Sequence, residues 1–311
     1  MRRNILKIDV VIPLYKPGKE LFTLLDQLNA QTLQISNIIL MNTEEKYFLQ
    51  LTEGMDFAKA YPNAQVHHLK KEDFDHGATR HQGMMLSNAD VVVCMTQDAM
   101  PADEYLIEKL TARLGGDVAV AYARQLPSSQ SSEAEKISRA FNYPDTSCLK
   151  RAEDIPTLGI KTFFCSNVCA AYRKDIYEKQ GGFIRHTIFN EDMIFASGVV
   201  RSGMTIAYEA EAKVVHSHNY SCMQQLHRNF DLGVSQADHP EVFGDVPSES
   251  EGMKLVKATW KAMKESGRIY LFPAFCMQCA FKLAGYKLGK SYRKLPRKWV
   301  LALSDNKAYW K

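Results

Sequence analysis

Short apolar runs alternate with helical periodicity along the first two-thirds of the chain. Runs of this length are typical of strands that are buried on both faces of a sheet. The predicted strands cover residues 9–14, 38–41, 64–69, 91–95, 118–122, 163–172, 205–210 and 213–216. Predicted helices lie between several of them, near residues 21–28, 79–86, 102–114 and 192–201. This alternation predicts an α/β fold with a mostly parallel sheet flanked by helices.

The pattern becomes irregular in two stretches and changes character after about residue 220. Residues 125–132 and 143–160 are polar and loop-like, which is typical of a lid or an acceptor-binding loop. After residue 220 the chain predicts amphipathic helices that become increasingly basic. We therefore predict an α/β domain over residues 1–220 and a helical, basic C-terminal region over residues 221–311.

Composition narrows the class of protein. The 311 residues are 46% apolar and 24% charged, as in ordinary globular enzymes. No segment reaches the roughly 18 uninterrupted apolar residues of a membrane span. Residues 1–4 lead into a strand pattern and not into a signal-peptide core. The seven scattered cysteines fit a reducing compartment, so we expect a cytoplasmic location.

Charge is distributed unevenly along the chain. The net charge is +4, but residues 254–311 hold 14 Lys/Arg and 2 Asp/Glu, a net of +12, which leaves −8 for residues 1–253. Aromatic residues such as Trp260 and Trp299 are interleaved with these lysines, a pattern that favours helices lying on an anionic membrane surface. The alternative is that they pack on the first domain or on a second copy of the chain, as a homo-oligomer. No nucleic acid is expected as a partner, because nothing in residues 1–253 is typical of nucleic-acid binding.

Asp98 follows the predicted strand at residues 91–95. Ligands bind at the carboxyl ends of strands in open α/β sheets, and a lone carboxylate there is suited to hold Mg²⁺ or Mn²⁺ against a phosphorylated ligand. The alternative is a structural role, in which Asp98 or Asp103 caps the helix predicted from residue 102.

Three further motifs fall at predicted strand or helix ends. Glu191 and Asp192 begin a helix, where one carboxylate could act as a general base and where acidic residues also serve as plain caps. His216 and His218 follow a strand and share one face, as two metal ligands would. The segment Asp75-His76-Gly77-Ala78-Thr79-Arg80 places a glycine and an arginine at a helix start, as in an anion-binding site. Together these motifs favour a metal-assisted nucleotide-diphosphate site.

The order of these elements resembles the family 2 glycosyltransferases, which have the Rossmann-like GT-A fold. The resemblance covers residues 7 to about 220. It implies that Asp98 matches the last aspartate of the DxD metal motif, that Asp192 of the Glu191-Asp192 pair is the catalytic base, and that His216 closes the metal site, with His218 as the second choice. Thr96 replaces the first aspartate of the DxD motif.

The resemblance also implies the donor-binding residues. The end of the first strand, Pro13-Leu14-Tyr15, is similar to the segment that packs on the nucleotide base. Asn42 and Thr43 stand where many relatives carry base-reading acidic residues. The remaining implied donor contacts are His76, Gly77, Arg80, Gln97 and Asp98.

Residues 74–80, 96–99 and 285–296 are similar to bacterial rhamnosyltransferases that assemble rhamnose-containing cell-wall polysaccharides. This branch implies the donor dTDP-β-L-rhamnose, a lipid-linked saccharide acceptor, a divalent cation (Mn²⁺ or Mg²⁺) and inversion at the anomeric carbon. It also implies a peripheral position on the inner face of the cell membrane. The alternatives are a UDP-hexose or UDP-N-acetylhexosamine donor, a nucleotidyltransferase, or a non-catalytic scaffold. The chain lacks the glycine-rich loop after strand one that a nucleotidyltransferase needs.

Overall fold

The computed structural model describes residues 6–244 and 249–311, so the expectation for residues 1–4 lies outside the described residues. The apolar runs form strands as predicted, with bounds that differ by a few residues. The strands are β1 (Ile8–Tyr15), β2 (Asn37–Thr43), β3 (Ala64–Leu69), β4 (Val91–Met95), β5 (Met100–Pro101), β6 (Val118–Leu126), β7 (Cys148–Lys150), β8 (Cys169–Arg173) and β9 (Thr205–Val215).

Helices flank the sheet and make up the region after residue 221. They are α1 (Glu20–Asn29), α2 (Glu45–Leu51), α3 (Phe57–Ala60), α4 (His76–Leu86), α5 (Leu106–Thr111), α6 (Glu133–Asn142), α7 (Ile155–Leu158), α8 (Lys174–Lys179), α9 (Glu191–Arg201), α10 (Cys222–Asp238), α11 (Pro240–Phe243), α12 (Glu249–Glu265), α13 (Phe272–Lys290) and α14 (Arg297–Leu303). Short 3-10 turns include Gly159–Phe163, Ile269–Leu271 and Lys307–Trp310.

The strands form one mixed sheet in the order β3-β2-β1-β4-β8-β6-β9-β5, with β7 paired to β9. The long ladders among β3, β2, β1 and β4, and between β6 and β9, are parallel. Strand β8 runs antiparallel to both of its neighbours, β4 and β6. The predicted α/β class with a mostly parallel, helix-flanked sheet is confirmed. The main feature that was not predicted is the antiparallel direction of β8.

Apolar residues cover both faces of the sheet. On one face, Val10 and Ile12 of β1 pack with Leu24 of α1. On the other face, Val11 packs in a cluster that includes Met84 of α4 and Phe195 of α9. Because successive strand residues point to opposite faces, a continuous apolar run is what a sheet covered on both sides requires.

Several predicted boundaries are wrong for identifiable reasons. The helix predicted over residues 102–114 is only α5, because the Asp103 carboxylate accepts the N–H of Tyr105 (2.9 Å) in a preceding turn. Neither Asp98 nor Asp103 caps that helix, since its N-cap residue is Tyr105. The strand predicted over residues 163–172 begins only at Cys169, and the two strands predicted over residues 205–216 are the single strand β9.

Helix α6 lies between the two irregular stretches, at residues for which no element was predicted. Its start is marked by Ser132, whose Oγ accepts the N–H of Glu135 (3.2 Å). A serine followed three residues later by glutamate is a known helix-start signal, so the sequence contained evidence for α6. Strand β6 also extends into the predicted loop, to Leu126.

The described part of the chain after residue 221 is mainly helical, and α10 and α13 cross at very short range. A Cβ atom built on Gly285 of α13 would lie 2.1 Å from the carbonyl oxygen of Leu226 on α10, and one built on Gly289 would lie 2.1 Å from that of Phe230. Glycine is therefore required at both positions for this crossing. Within residues 6–244 and 249–311, none of the helices combines the length and apolar character needed to span a bilayer.

Candidate active site

One cavity of about 360 Å³ collects most of the polar residues that the sequence singles out. We call it the central cavity, and it opens where β4 and β9 end and α9 begins. Its polar lining residues include His76, Arg80, Asp98, Gln125, Asn167, Glu191, Asp192, His216, His218 and Arg228. The predicted motifs at separate strand and helix ends therefore meet at one place.

The start of α9 positions two adjacent carboxylates in the central cavity. Asn190, just before α9, has a left-handed backbone with φ of 65°, which is uncommon for a residue with a side chain. Its side-chain amide donates to Ser235 Oγ on α10 (3.0 Å), which ties this turn to the C-terminal helices. The Asp192 carboxylate accepts the backbone N–H groups of Asn167 (3.0 Å) and Met193 (2.8 Å).

Glu191 and Asp192 titrate differently because their surroundings differ. Glu191 Oε1 lies 3.1 Å from Arg80 Nη1 and accepts a hydrogen bond from Asn167 Nδ2 (3.1 Å). Burial opposes the ionisation of Glu191, but Arg80 and then His76 outweigh it and lower its pKa. Burial and then the charge of Glu191 raise the pKa of Asp192 to about 7. Asp192 is thus suited to accept a proton near neutral pH.

Asp98, His216 and His218 form a cluster in the same cavity. One ligand atom from each residue lies within 4.8 Å of the other two. Asp98 Oδ2 is 3.1 Å from His218 Nε2 and 3.5 Å from His216 Nε2. The structure brings both histidines to Asp98, and not only His216, which is preferred from the sequence.

Gln125 fixes the orientation of the His216 ring. Gln125 Oε1 lies 3.1 Å from His216 Nδ1, so Nδ1 carries the proton and Nε2 faces Asp98. Burial lowers the pKa of His216 although Asp98 acts against this, which favours a neutral ring. Burial opposes ionisation of Asp98, but the neighbouring His216 and His218 outweigh it and lower its pKa. One carboxylate and two imidazoles form a donor set that fits a divalent cation, Mn²⁺ better than the oxygen-preferring Mg²⁺.

The segment at residues 75–80 is less open than an anion-binding site would be. Asp75 Oδ1 accepts the N–H groups of Gly77 (2.8 Å) and Ala78 (3.0 Å), so the first turn of α4 is capped by its own chain. A Cβ atom on Gly77 would lie 1.8 Å from the carbonyl oxygen of Ile184, so glycine lets the loop before α9 approach α4. Arg80 is buried and lines the central cavity, where it pairs with Glu191. Donor contacts at Gly77 and Arg80 stay predictions.

The ends of β1 and β2 present alternate residues to the ligand side. Tyr15 is paired in register with Thr43, and Leu14 with Asn42. Tyr15 and Thr43 line a second cavity of about 490 Å³, which we call the outer cavity. Leu14 and Asn42 point the other way and are buried.

Pro13 and Gln97 complete the set of implied donor residues. Pro13 is half-buried within β1. Gln97 forms two hydrogen bonds with the backbone of Tyr15. Its Oε1 accepts the Tyr15 N–H (2.9 Å), and its Nε2 donates to the Tyr15 carbonyl (3.2 Å). In this structure Gln97 therefore positions Tyr15 at the outer cavity.

The outer cavity adjoins the central cavity and includes residues from the C-terminal region. His76, Phe189 and Arg228 line both cavities. The other lining residues are Tyr15, Thr43, Lys71, Phe74, Ile188, Asp231, Asp305, Asn306, Lys307 and Ala308. The predicted boundary at residue 220 thus does not separate the site from the helical region.

Sequence reasoning missed Asn167, Gln125 and Arg228. Asn167 contacts both carboxylates at the start of α9. Arg228 of α10 holds its guanidinium 4.8 Å from the ring of Phe189, between the two cavities. No local motif marks these residues, because each acts through contacts with elements far away in the sequence.

The chain is similar to known proteins along most of its length. Residues 9–181 match the family model for glycosyl transferase family 2. The O-antigen chain rhamnosyltransferase RfbN of Salmonella typhimurium is 34% identical over 98% of this chain and 96% of its own length. The O-antigen chain rhamnosyltransferase WbaN of Salmonella anatum is 33% identical over 97% of this chain and 95% of its own length.

Solved structures share the fold at low sequence identity. The mannosyltransferase PcManGT from Pyrobaculum calidifontis, solved with GDP-Man and Mn²⁺, has a TM-score of 0.55 at 14% identity, covering 99% of this chain and 84% of that chain. S. aureus TarS 1-349, solved with UDP-GlcNAc, has a TM-score of 0.52 at 13% identity, covering 93% of this chain and 92% of that chain. The chain therefore has the GT-A fold that its sequence predicts.

Proposed function

Because this chain belongs to glycosyl transferase family 2, we propose that it transfers L-rhamnose from dTDP-β-L-rhamnose to a hydroxyl of a lipid-linked saccharide. The product would extend a bacterial cell-surface polysaccharide. Similarity to two rhamnosyltransferases along nearly the whole chain supports the choice of sugar. The observation that carries the reaction is that Asp192 and the Asp98–His216–His218 cluster line the same cavity.

Asp192 would act as the general base in a single inverting displacement. It would remove the proton of the acceptor hydroxyl while that oxygen forms a bond to the anomeric carbon of rhamnose. The bond from this carbon to the diphosphate breaks on the opposite face, and dTDP leaves. Glu191 stays ionised beside Arg80, so it would orient the site and leave the proton to Asp192.

Asp98, His216 and His218 would hold a divalent cation at the departing diphosphate. When bound there, the cation would offset the negative charge that develops on the leaving group. Arg228, between the two cavities, is placed to add a second positive charge. Gln125 would keep His216 in the tautomer that the metal requires.

The C-terminal region would hold the enzyme at the inner face of an anionic membrane, where a lipid-linked acceptor is available. Trp260, Tyr270, Met277 and Leu283 are exposed on α12, the following 3-10 turn and α13. Within this region, residues 254–311 carry the net charge of +12. Other apolar residues of the region, Met263 and Phe275 among them, are buried and contribute to its fold instead.

A donor panel tests the proposal. The purified chain, Mn²⁺ and a lipid-linked saccharide extract are incubated with dTDP-rhamnose, UDP-glucose or UDP-GlcNAc, and release of nucleoside diphosphate is measured. We expect acceptor-dependent dTDP release, and none with Asp192→Asn. Preference for a UDP-sugar would refute rhamnose and leave the reaction standing. No release with any donor would favour a non-catalytic scaffold.

A further inference from the structure

The outer cavity is closed on one side by residues that follow α14. Asp305, Asn306, Lys307 and Ala308 line it opposite Tyr15 and Thr43, which end β1 and β2. We call residues 304–310 the closing segment. A cavity at the ends of adjacent parallel strands, next to the central cavity, is where an open α/β sheet would hold a nucleotide.

A buried carboxylate anchors the closing segment to α10. Asp231 is only 4% exposed, and its Oδ2 accepts the backbone N–H groups of Asp305 (3.0 Å) and Asn306 (3.3 Å). His227, one turn before Asp231 on α10, lies 3.8 Å from the Asp305 carboxylate. The segment is thus fixed at its beginning by the helix that also carries Arg228.

Tyr309 joins the closing segment to the loop that precedes the catalytic carboxylates. Its ring stacks on that of His186 at 4.6 Å with an interplanar angle of 11°, and its hydroxyl donates to Asp238 (3.1 Å). His186 Nδ1 lies 3.6 Å from Asp75, whose carboxylate also accepts the N–H of Thr187 (3.2 Å). The closing segment therefore contacts both the helical region and the loop before α9.

The chemistry of the outer cavity suits a nucleoside. Phe74, Ile188 and Phe189 provide apolar surface, as a nucleobase requires, and Lys71, Lys307 and Arg228 place positive charge at its edges. A pocket with mostly apolar walls and a few polar groups is typical of a small-molecule site. If the sugar and diphosphate occupy the central cavity, the nucleoside end of the donor extends into the outer cavity.

We infer that the closing segment forms the outer wall of the nucleoside subsite, so that residues 305–308 enclose the base and deoxyribose of the donor against Tyr15 and Thr43. This inference rests on the proposed function for the presence of a nucleotide. It assigns residues near the end of the C-terminal region to donor binding, in addition to any contact of that region with a membrane. Donor affinity then depends on residues nearly three hundred positions away from Tyr15 in the sequence.

Calorimetric titration of the full chain with dTDP tests this wall directly. Ala308→Trp places a large side chain in the outer cavity and should weaken dTDP binding by about tenfold or more. Ala302→Trp is the matched control, because Ala302 is an exposed residue of α14 that lines neither cavity. It should bind dTDP as the wild-type chain does. Equal affinity of both variants and the wild type would overturn the inference while the proposed function stands.

Hydrogen exchange provides a second test that needs no variant. In the wild-type chain, saturation with dTDP should slow exchange of the amides in residues 304–310, which Asp231 already holds in part. Unchanged exchange in this segment, with measured dTDP binding, would overturn the inference. If the wild type binds UDP and not dTDP, dTDP-rhamnose is refuted as the donor. The titration and the hydrogen-exchange experiment are then repeated with UDP, and the same outcomes support or overturn the inference.

Discussion

Two neighbouring carboxylates at the start of α9 are given different roles by their surroundings. Glu191 faces the guanidinium of Arg80, whereas Asp192 receives only neutral backbone N–H groups and lies beside the negative charge of Glu191. Two coupled acids share protons unequally when one has a cation and the other does not. The pKa of Asp192 is therefore the higher of the two, so its carboxylate, once ionised, is the stronger base toward an acceptor hydroxyl.

The first prediction concerns pH. Because Asp192 must be ionised to remove a proton and its pKa is raised to about 7, kcat should rise as pH increases through that value. Initial rates from about pH 5 to about pH 9 would show this limb, and Asp192→Asn should lose at least about 10²-fold in kcat at every pH. A rate already maximal at about pH 5 would contradict the assignment, as would an active Asp192→Asn alongside an inactive Glu191→Gln.

The second prediction is that ionisation of Asp192 lowers the stability of the folded chain as pH rises. Its folded-state pKa lies above that of the unfolded chain, so ionisation of Asp192 costs folding free energy as pH rises through about 7. Asp192→Asn removes this cost, so it should raise the melting temperature above about pH 7 and change it little below about pH 4. Melting curves at the two extremes measure the difference. An equal shift at both extremes would mean that the substitution acts by some route other than the charge.

The third prediction concerns the Asp98–His216–His218 cluster as a metal site. Asp98→Asn should lower turnover by about 10²-fold, the usual scale for losing a group that stabilises charge in the transition state. Both His216→Ala and His218→Ala should raise the Mn²⁺ concentration needed for half-maximal rate, the buried His216 more strongly. Titration of metal-stripped enzyme with Mn²⁺ provides the measurement. Full activity in excess EDTA would refute the cluster as a required metal site.

At the scale of single residues, the sequence located Asp98, Asp192 and the two histidines because each follows a readable strand or precedes a readable helix. It did not predict that Leu14 and Asn42 would face away from the ligand side, since that depends on the register between β1 and β2. It also did not predict Asn167, whose contacts with Glu191 and Asp192 exist only once α9 packs beside β8.

At the scale of secondary-structure elements, the crossing of α10 and α13 depends on two glycines without side chains. Gly285 and Gly289 lie one helical turn apart and bring the backbone of α13 against the carbonyl groups of Leu226 and Phe230. A methyl group at either position forces the helices apart. The crossing supports α10, which carries Arg228 and Asp231 to the cavities.

The fourth prediction follows from this crossing. Gly285→Ala should destabilise the chain by about 2 kcal/mol or more, because the added carbon meets backbone atoms that cannot move independently. Gly252→Ala in α12 is the control: nothing lies within 4 Å of its added carbon, so the substitution should be neutral or stabilising by up to about 1 kcal/mol. Urea unfolding of both variants gives the comparison. Equal stability of the two would show that the crossing relaxes at little cost.

Strands and helices could be predicted from the sequence where burial alone determines the pattern of apolar residues. β1, β2 and β4 are buried along nearly their whole length, so their apolar runs are unambiguous. Helix α6 is mainly polar, with Ser138 as its only buried residue in the described structure, so its periodicity is weak. Residues 163–168 were predicted as strand but are not part of the sheet. They form the end of a 3-10 turn and the turn that carries Asn167.

At the scale of the whole molecule, charge and exposed aromatic residues coincide in the C-terminal region. Trp260 packs against Phe272 at a ring distance of 4.7 Å and remains half exposed, and Tyr270 is 73% exposed. Each basic residue near an anionic leaflet contributes about 1 kcal/mol, and this attraction weakens as salt is added. The region thus combines exposed aromatic side chains with basic charge, two features that are typical of peripheral membrane proteins.

The fifth prediction is that the chain co-sediments with anionic vesicles at low salt and stays in the supernatant with neutral vesicles. The double substitution Trp260→Ser and Tyr270→Ser should reduce the bound fraction. Tyr105→Ser serves as the control, since Tyr105 is exposed on the α/β domain. Equal recovery of all three proteins in the supernatant with anionic vesicles would rule out this membrane contact.

The position of β8 in the sheet has a consequence for how the chain folds during synthesis. The parallel strands β3, β2, β1 and β4 can assemble as soon as residue 95 has left the ribosome, but the partner on the other side of β4 is made only with Cys169–Arg173. Until then β4, a wholly apolar strand, presents an open edge that can pair with other chains. A fragment covering residues 1–165 should therefore aggregate, and the nascent protein should depend on chaperones most strongly over this interval.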